Sequence, residues 1–233
     1  MNVDLLKAKL RALASPKKAV ILQGFFKTGP GQYGEGDRFI GVTVPQIRHI
    51  ARSGPDLPLE GIRELLRRGV HEERLLGLLI LTERFQGAFG KERSKLFKFY
   101  LHHLTWVNNW DLVDSSAHHI VGAYLEDKDR SLLDRLAASS RLWDRRVAMV
   151  ATLHFIRKGQ FDDTLRLARS LLNDQEDLMH KAAGWMLREV GKRNEAVLTG
   201  FLEAHAPSMP RTMLRYAIER LSAAKKKRFL NKK

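Results

Sequence analysis

Apolar residues recur at helical spacing along almost the whole chain, and this periodicity restricts the fold more than any other feature. Leu5, Leu6, Leu10 and Leu13 form one such set, Leu132, Leu133 and Leu136 a second, and Leu165, Leu167, Leu171 and Leu172 a third. Alternation with a period of two is confined to residues 39–44, too short a run to found a sheet. The chain is therefore expected to be all-α.

Several helical segments look like versions of one another: HEERLLGLLILTERF (71–85), LWDRRVAMVATLHFI (142–156) and LMHKAAGWMLREVGK (178–192). Aligning Gly77, Ala148 and Ala183 gives offsets of 71 and 35 residues, which is two repeats and then one. A period near 35 residues, with small residues inside a helix, is the mark of stacked helical hairpins, because small side chains let neighbouring helices approach closely. The expectation is a HEAT-like helical-repeat solenoid of roughly six hairpins at that period. Breakers fall between the units. Pro55 and Pro58 separate an early helix from the next, Pro207 and Pro210 precede the last one, and Gly159 is expected to end the helix that contains Arg146. No long Ser/Gly linker divides the chain, so residues 1–233 are expected to form one domain.

The conspicuous loop is Gly-rich, at 28–41 within KTGPGQYGEGDRFIGVTVP (27–45). Gly29, Gly31, Gly34 and Gly36 formally match a dinucleotide-binding fingerprint, but the match follows a helix rather than a strand and no G-K-[ST] accompanies it. An ordered surface loop is the reading that fits this setting, since phosphate cradling needs strand, turn and helix in sequence.

Charge narrows the function classes. The 233 residues carry a formal net charge of +15, and a protein this basic is poised to bind a polyanion, because each neutralised phosphate releases condensed counterions. No cysteine is present, which excludes disulfides and thiolate metal sites and fits a reducing cytoplasm. The N-terminal stretch lacks the apolar centre of a signal peptide. The longest apolar run, residues 75–82, is closed on both sides by charges and is far short of a membrane span. A cytoplasmic, monomeric protein is expected, with no membrane association. His102/His103 and His118/His119 lack companion carboxylates at metal-ligand spacing, so no metal is expected. The tail AKKKRFLNKK (224–233) reads as a solvated, partly disordered basic end that adds non-specific DNA affinity.

Two helical faces carry groups suited to chemistry. Trp110 and Asp114 in NNWDLVDSS are spaced i, i+4 and share one face. Packing of the indole and capping or pairing of the carboxylate is the plainer explanation of that pair. Trp185 lies between Lys181 at i−4 and Arg188 at i+3, and Arg146 recurs near the matching position of the preceding repeat. Equivalent positions of a solenoid line one surface, so Arg146, Lys181 and Arg188 are expected to form a cationic stripe.

WDLVD (110–114), WDRRVAM (143–149) and KAAGWMLREVGKRN (181–194) resemble marker segments of the AlkD family of DNA alkylation repair glycosylases, and YGEGDRFIGVTVPQIRHIAR (33–52) is similar to a segment of many members. The similarity runs in order along nearly the whole chain. It implies a HEAT-like fold, duplex DNA bearing alkylated purines as substrate, and no cofactor. Carried over by position, it places the family's catalytic aspartate on Asp114, its active-site tryptophans on Trp110 and Trp185, and its active-site arginine on Arg146. Lys181, Arg188, Arg145, Phe25, Lys27 and Arg48 become candidate DNA contacts, Phe25 matching an aromatic that some relatives carry on the second helix. The Gly-rich loop is longer than in some of those relatives.

These residue types suit the reaction that the resemblance implies. A purine alkylated at N3 or N7 is cationic and already a good leaving group, so the enzyme has mainly to stabilise the sugar as it becomes oxocarbenium-like. A carboxylate does this electrostatically, indole faces hold cationic atoms by cation–π attraction, and an arginine clamps the neighbouring phosphate. Most glycosylases extrude the base, whereas the resemblance implies a lesion left in the duplex. The rival reading is a non-catalytic HEAT-like protein that binds branched or damaged DNA, which has no need of a carboxylate among the cations. A protein-binding scaffold is a further alternative, and its affinity for DNA should not fall steeply with salt.

Overall fold

The computed structural model describes residues 2–54, 56–67 and 69–232. Pro55, one of the expected breakers, and Lys233 of the tail lie outside the described residues. The all-α expectation holds. Among the described residues no strand forms, and residues 38–44 contribute one isolated bridge, Arg38 to Val70. No described helix is long and apolar enough to cross a membrane. Contacts group the chain into two compact units, the first ending at Ser116 and the second beginning at Ala117.

The first unit comprises α1 (Val3–Ala12), α2 (Pro16–Phe25), α3 (Val44–Ala51), α4 (Leu59–Arg67), α5 (His71–Gly87), α6 (Gly90–His102) and α7 (Trp110–Asp114). Helix starts follow capping chemistry. The Asn2 side chain accepts the amide of Asp4 at 2.7 Å, Ser15 precedes Pro16 at the first turn of α2, and Thr43 with Gln46 forms a capping box on α3. Pro58 stands immediately before α4, where a breaker was expected. The core gathers on α5, which is buried without a gap from His71 to Thr82 and touches α1, α3, α4, α6 and α7. Such a helix shows no polar face because neighbours cover it on every side. At Gly77 an added Cβ would stand 3.1 Å from Leu65 Cβ, so the small residue sets how closely α4 and α5 pack.

The second unit opens with a single π-helical turn (His118–Gly122). It continues through α8 (Ser131–Ala137), α9 (Leu142–Ala151), α10 (Leu153–Arg157), α11 (Asp162–Ser170), α12 (Asp177–Gly191), α13 (Glu195–His205), α14 (Arg211–Ala217) and α15 (Ala223–Leu230). Here α12 is the central helix, in contact with α9, α10, α11, α13 and α14. Ala148 and Ala183, the aligned repeat positions, are fully buried.

Two sequence expectations are corrected in this unit. The helix bearing Arg146 ends at Ala151, not at Gly159: the buried Thr152 hydroxyl donates to the Met149 carbonyl at 2.7 Å and interrupts the ladder, and Gly159, at φ +75°, instead closes α10. The basic tail is not a solvated end. Ser222 caps α15, Phe229 is fully buried, and Arg211 Nη1 donates to the Leu230 carbonyl at 3.0 Å. Burial of one phenylalanine outweighs the repulsion of a charge run whose lysines and arginine still face water. The two proline positions therefore precede α14, with α15 following it.

Candidate functional site

In the first unit the site is built on α7, a helix of five residues. A helix so short has no stability of its own, so neighbours set its pose. Asp111, Leu112 and Val113 are buried, while Trp110 and Asp114, at its two ends, are half-buried. The i, i+4 pair is thus less buried than the three residues between its members. Trp110 is also partly a packing residue. Its ring stacks on Phe26 with centroids 5.1 Å apart and planes 6° from parallel. Phe26 stacks in turn on Phe39 at 4.8 Å, and Phe39 on the His71 imidazole at 4.4 Å. Phe25 meets Trp110 edge-on at 6.0 Å and is 62% exposed, so this candidate joins the tryptophan at the surface. Lys27, with φ at +51°, and Arg48 on α3 are exposed.

Behind α7 lies a buried polar network that the sequence reading did not single out. His71 Nδ1 is 3.0 Å from Asp37 Oδ2 and its Nε2 is 2.8 Å from Asp111 Oδ2. Arg74 pairs with the other oxygen of Asp37 and donates to Asn108 Oδ1 at 2.6 Å. Asn109 donates to Asp37 at 3.2 Å while its Oδ1 accepts the amide of Trp110 at 2.8 Å, capping α7. At the other end of α7 the Ser116 hydroxyl donates to the Leu112 carbonyl at 2.6 Å and lies 2.9 Å from the Tyr100 hydroxyl. Burial by itself would depress the His71 pKa, but the charge of Asp111 and hydrogen bonds to both aspartates outweigh it, and the value is raised. Burial would likewise raise Asp37, yet the hydrogen bond from His71 and the Arg74 charge hold it below the usual carboxylate range.

The Gly-rich loop is ordered and most of its amides are already used. Gly29 donates to Gln32 Oε1 at 3.0 Å and Gly31 to Glu35 Oε2 at 2.9 Å. The amides of Ile40, Gly41 and Val42 converge on the Glu72 carboxylate at 3.1, 2.8 and 3.2 Å. Gly41 sits at φ +85° with its α-carbon so close to α2 that a Cβ would lie 2.1 Å from the Ser15 carbonyl oxygen. Phosphate cradling has no support in such a loop. Its role is to bring Asp37 and Phe39 against α5.

In the second unit α12 carries Lys181, Trp185 and Arg188, all half-buried, with Ala182, Ala183, Gly184, Met186 and Leu187 buried between them. The three therefore share the outer side of the helix. Lys181 pairs with Asp177 at 2.8 Å and Arg188 pairs with Glu219. Arg146 differs from the exposed stripe expected of it. It is 5% exposed and its Nη1 donates to the Leu178 carbonyl of α12 at 2.6 Å, tying α9 to the helix that presents Trp185. Arg145 binds Asp174 through Nε at 2.6 Å and Nη2 at 3.2 Å, and its Nη1 donates to the carbonyls of Ser139 and Ser140. That is the pattern of an interhelical staple. The histidine pairs are ring contacts, His102 edge-on to His103 at 5.1 Å and His118 against His119 at 3.8 Å. Among the described residues no three potential metal ligands cluster.

A family model described as DNA alkylation repair enzyme matches residues 6–221. Among solved structures, a predicted DNA alkylation repair enzyme from Enterococcus faecalis aligns with a TM-score of 0.69 at 16% sequence identity, over 90% of this chain and 97% of that one. At that identity the likeness shows a shared fold, the all-helical repeat. A search of curated proteins finds no match.

Proposed function

This chain belongs to the DNA alkylation repair enzyme family, and from that premise we propose that it is a monofunctional DNA glycosylase of the AlkD type. Its proposed substrates are cationic N3- and N7-alkylated purines of duplex DNA, of the 3-methyladenine and 7-methylguanine kind, and its place is base excision repair. One observation carries the reading: a half-exposed carboxylate, Asp114, stands one helical turn from a half-exposed indole, Trp110, on a helix whose rear is fixed by buried charges.

In this mechanism the cationic base departs as a neutral purine and takes the electron pair of the N-glycosidic bond with it. The sugar becomes oxocarbenium-like, and Asp114 stabilises that charge and orients the water whose oxygen bonds C1′ as a proton is released. The faces of Trp110 and Trp185 hold cationic atoms, each worth ~0.5–2 kcal/mol. Lys181, Arg188, Phe25, Lys27 and Arg48 are assigned the flanking DNA, while Arg146, buried and bound to the Leu178 carbonyl, holds α12 in place rather than a phosphate. The chemistry requires neither cofactor nor metal, because alkylation has already activated the leaving group.

The test is release of 7-methylguanine from methylated duplex DNA by the wild type and by Asp114→Asn. Removing one preorganised electrostatic partner costs ~10²–10³ in rate, so the variant should bind DNA normally and lose excision by that factor. Wild-type excision by Asp114→Asn would overturn the mechanism. Tight DNA binding with no excision by the wild type would favour the non-catalytic binder.

A further inference from the structure

The two residues that face out of α7 are only as well placed as α7 itself, and the groups that hold α7 are charged. Three of the four residues from Asn108 to Asp111 are gripped from behind: Asn108 by Arg74, Asn109 by Asp37, Asp111 by His71. His71 belongs to α5, the most deeply buried helix of its unit, and is itself 1% exposed. We propose that His71 is a positioning residue for α7: bridged between Asp37 and Asp111, its imidazole sets the pose in which Trp110 and Asp114 meet the substrate. This rests on the reading of Asp114 as the catalytic carboxylate.

Two routes lead from the imidazole to Trp110 and Asp114. The first runs through hydrogen bonds. Asp111 spends Oδ2 on His71 and Oδ1 on the amide of Leu112 at 2.9 Å, so the bond from His71 fixes a carboxylate that is also tied to the α7 backbone, one turn before Asp114. The second runs through rings. His71, Phe39, Phe26 and Trp110 are stacked in order, with planes 22°, 28° and 6° apart at successive steps. A shift of the imidazole is transmitted to the indole through side chains that pack face to face and cannot yield separately.

The imidazole can donate to both carboxylates only when both its nitrogens carry protons. Once one proton is lost, one aspartate faces a lone pair across 3.0 Å or less, and that contact becomes repulsive. The charged groups facing His71 are Asp37 from the loop, Asp111 from α7 and Arg74 from its own helix, the aspartates favouring the imidazolium and the arginine opposing it. The His71 pKa lies above its ordinary value, so proton loss falls above about pH 6.5. A cavity of about 330 Å³, lined by His71, Glu72, Asp111, Phe26, Phe39 and Ile21 among others, lies against the network.

The experiment follows the indole N–H resonance of Trp110, assigned with Trp110→Phe, from pH 5 to 10 in the wild type, His71→Gln and Asp37→Asn. Single-turnover release of 7-methylguanine is measured in parallel and corrected for spontaneous loss of the base. In the wild type both should show one inflection above about pH 6.5, the ordinary histidine value, with excision falling at least tenfold across it and DNA affinity changing less than twofold. His71→Gln should abolish the inflection in both readouts. Asp37→Asn, which keeps the shape and removes one favourable charge, should move it to lower pH; this arm stands even if His71→Gln fails to fold. A Trp110 resonance without that inflection, or an inflection that Asp37→Asn leaves in place, would overturn the proposal. A wild type that releases no base at any pH would refute the glycosylase reading instead, and the resonance alone would then decide whether His71 controls α7.

Discussion

Replacing Glu72 with alanine removes the acceptor on which three consecutive loop amides converge. Its carboxylate is 1% exposed and takes the N–H groups of Ile40, Gly41 and Val42 at 3.1, 2.8 and 3.2 Å. Each buried donor left without a partner costs about 1–3 kcal/mol, so a loop that stayed shut would lose about 3–9 kcal/mol. Opening a surface segment costs less than the top of that range, so the loop should instead open and hydrate. A loss of about 2.8 kcal/mol corresponds to a hundredfold change in an equilibrium constant, and amide exchange at residues 40–42 should accelerate by at least that factor in Glu72→Ala. Glu72→Gln keeps one oxygen and gives up the charge, which is about half the strength of each bond, so its exchange should rise roughly tenfold. Because the same loop carries Asp37 and Phe39, excision should fall with protection, in the order wild type, Gln, Ala. Hydrogen exchange read by mass spectrometry on a peptide covering 38–43 makes the measurement. Wild-type exchange at residues 40–42 in Glu72→Ala would refute the reasoning, since it would mean that the carboxylate does not hold the loop.

Four other outcomes are expected. Phe229→Ala should undock α15, with a loss of ~3–5 kcal/mol as the ceiling, seen as rapid tryptic cleavage after residues 225–228; unchanged cleavage would restore the picture of a loose tail. Gly184→Ala would set a Cβ 2.5 Å from both the Met213 carbonyl oxygen and Tyr216 Cβ. Overpacking of that kind costs ~1–3 kcal/mol, a melting-point drop of about 2–12 °C for a chain of this size in a thermal scan. The stability of the first unit should depend on pH through two groups of opposite sign. His71, with its raised pKa, contributes fully below about 6.5 and loses that contribution as pH rises through the higher folded value. Asp37, with its lowered pKa, contributes above about 3.9 and loses that contribution as pH falls through the lower folded value. The unfolding midpoint should therefore peak in mildly acidic solution, and His71→Gln should erase the decline above about pH 6.5 in denaturant titrations. Finally, log affinity for DNA should fall linearly with log salt, and Lys181→Ala should reduce the slope by about 1; a fluorescence-anisotropy slope equal to that of the wild type would remove Lys181 from the interface.

What could be read in advance was whatever depends on neighbours within one or two helical turns. Trp110 with Asp114, and Trp185 with Lys181 and Arg188, were grouped correctly because helical spacing is local geometry. Packing was legible to the same extent: Gly77 marks a close helix contact, and Ala148 and Ala183 are fully buried. The buried network escaped because its members come from distant stretches, His71 standing 34 positions and Asn109 72 positions after Asp37. A signal was nevertheless present in HEER at 71–74, where four polar residues open the longest apolar run. Reading them as the charged boundary of that run missed that a helix covered on all sides buries its first turn too. His71, Glu72, Glu73 and Arg74 are each 3% exposed or less. The tail failed for the opposite reason, since its charges drew the eye from Phe229.

That contrast bears on where the precision of the site resides. In the proposed mechanism residues of α7 meet the substrate, but a five-residue helix beginning at Trp110 has too few internal hydrogen bonds to hold a carboxylate to the tolerance that electrostatic catalysis demands. The tolerance is supplied by Asp37, His71, Arg74 and Asp111, two anions against two cations when His71 is protonated, which lets charge be buried without a net excess. Removal of any one member leaves its partner uncompensated, whereas an apolar contact would merely loosen. A polar network therefore fixes one pose of α7 where an oily interface would accept several, and it places the limits on Asp114 outside the helix that carries it.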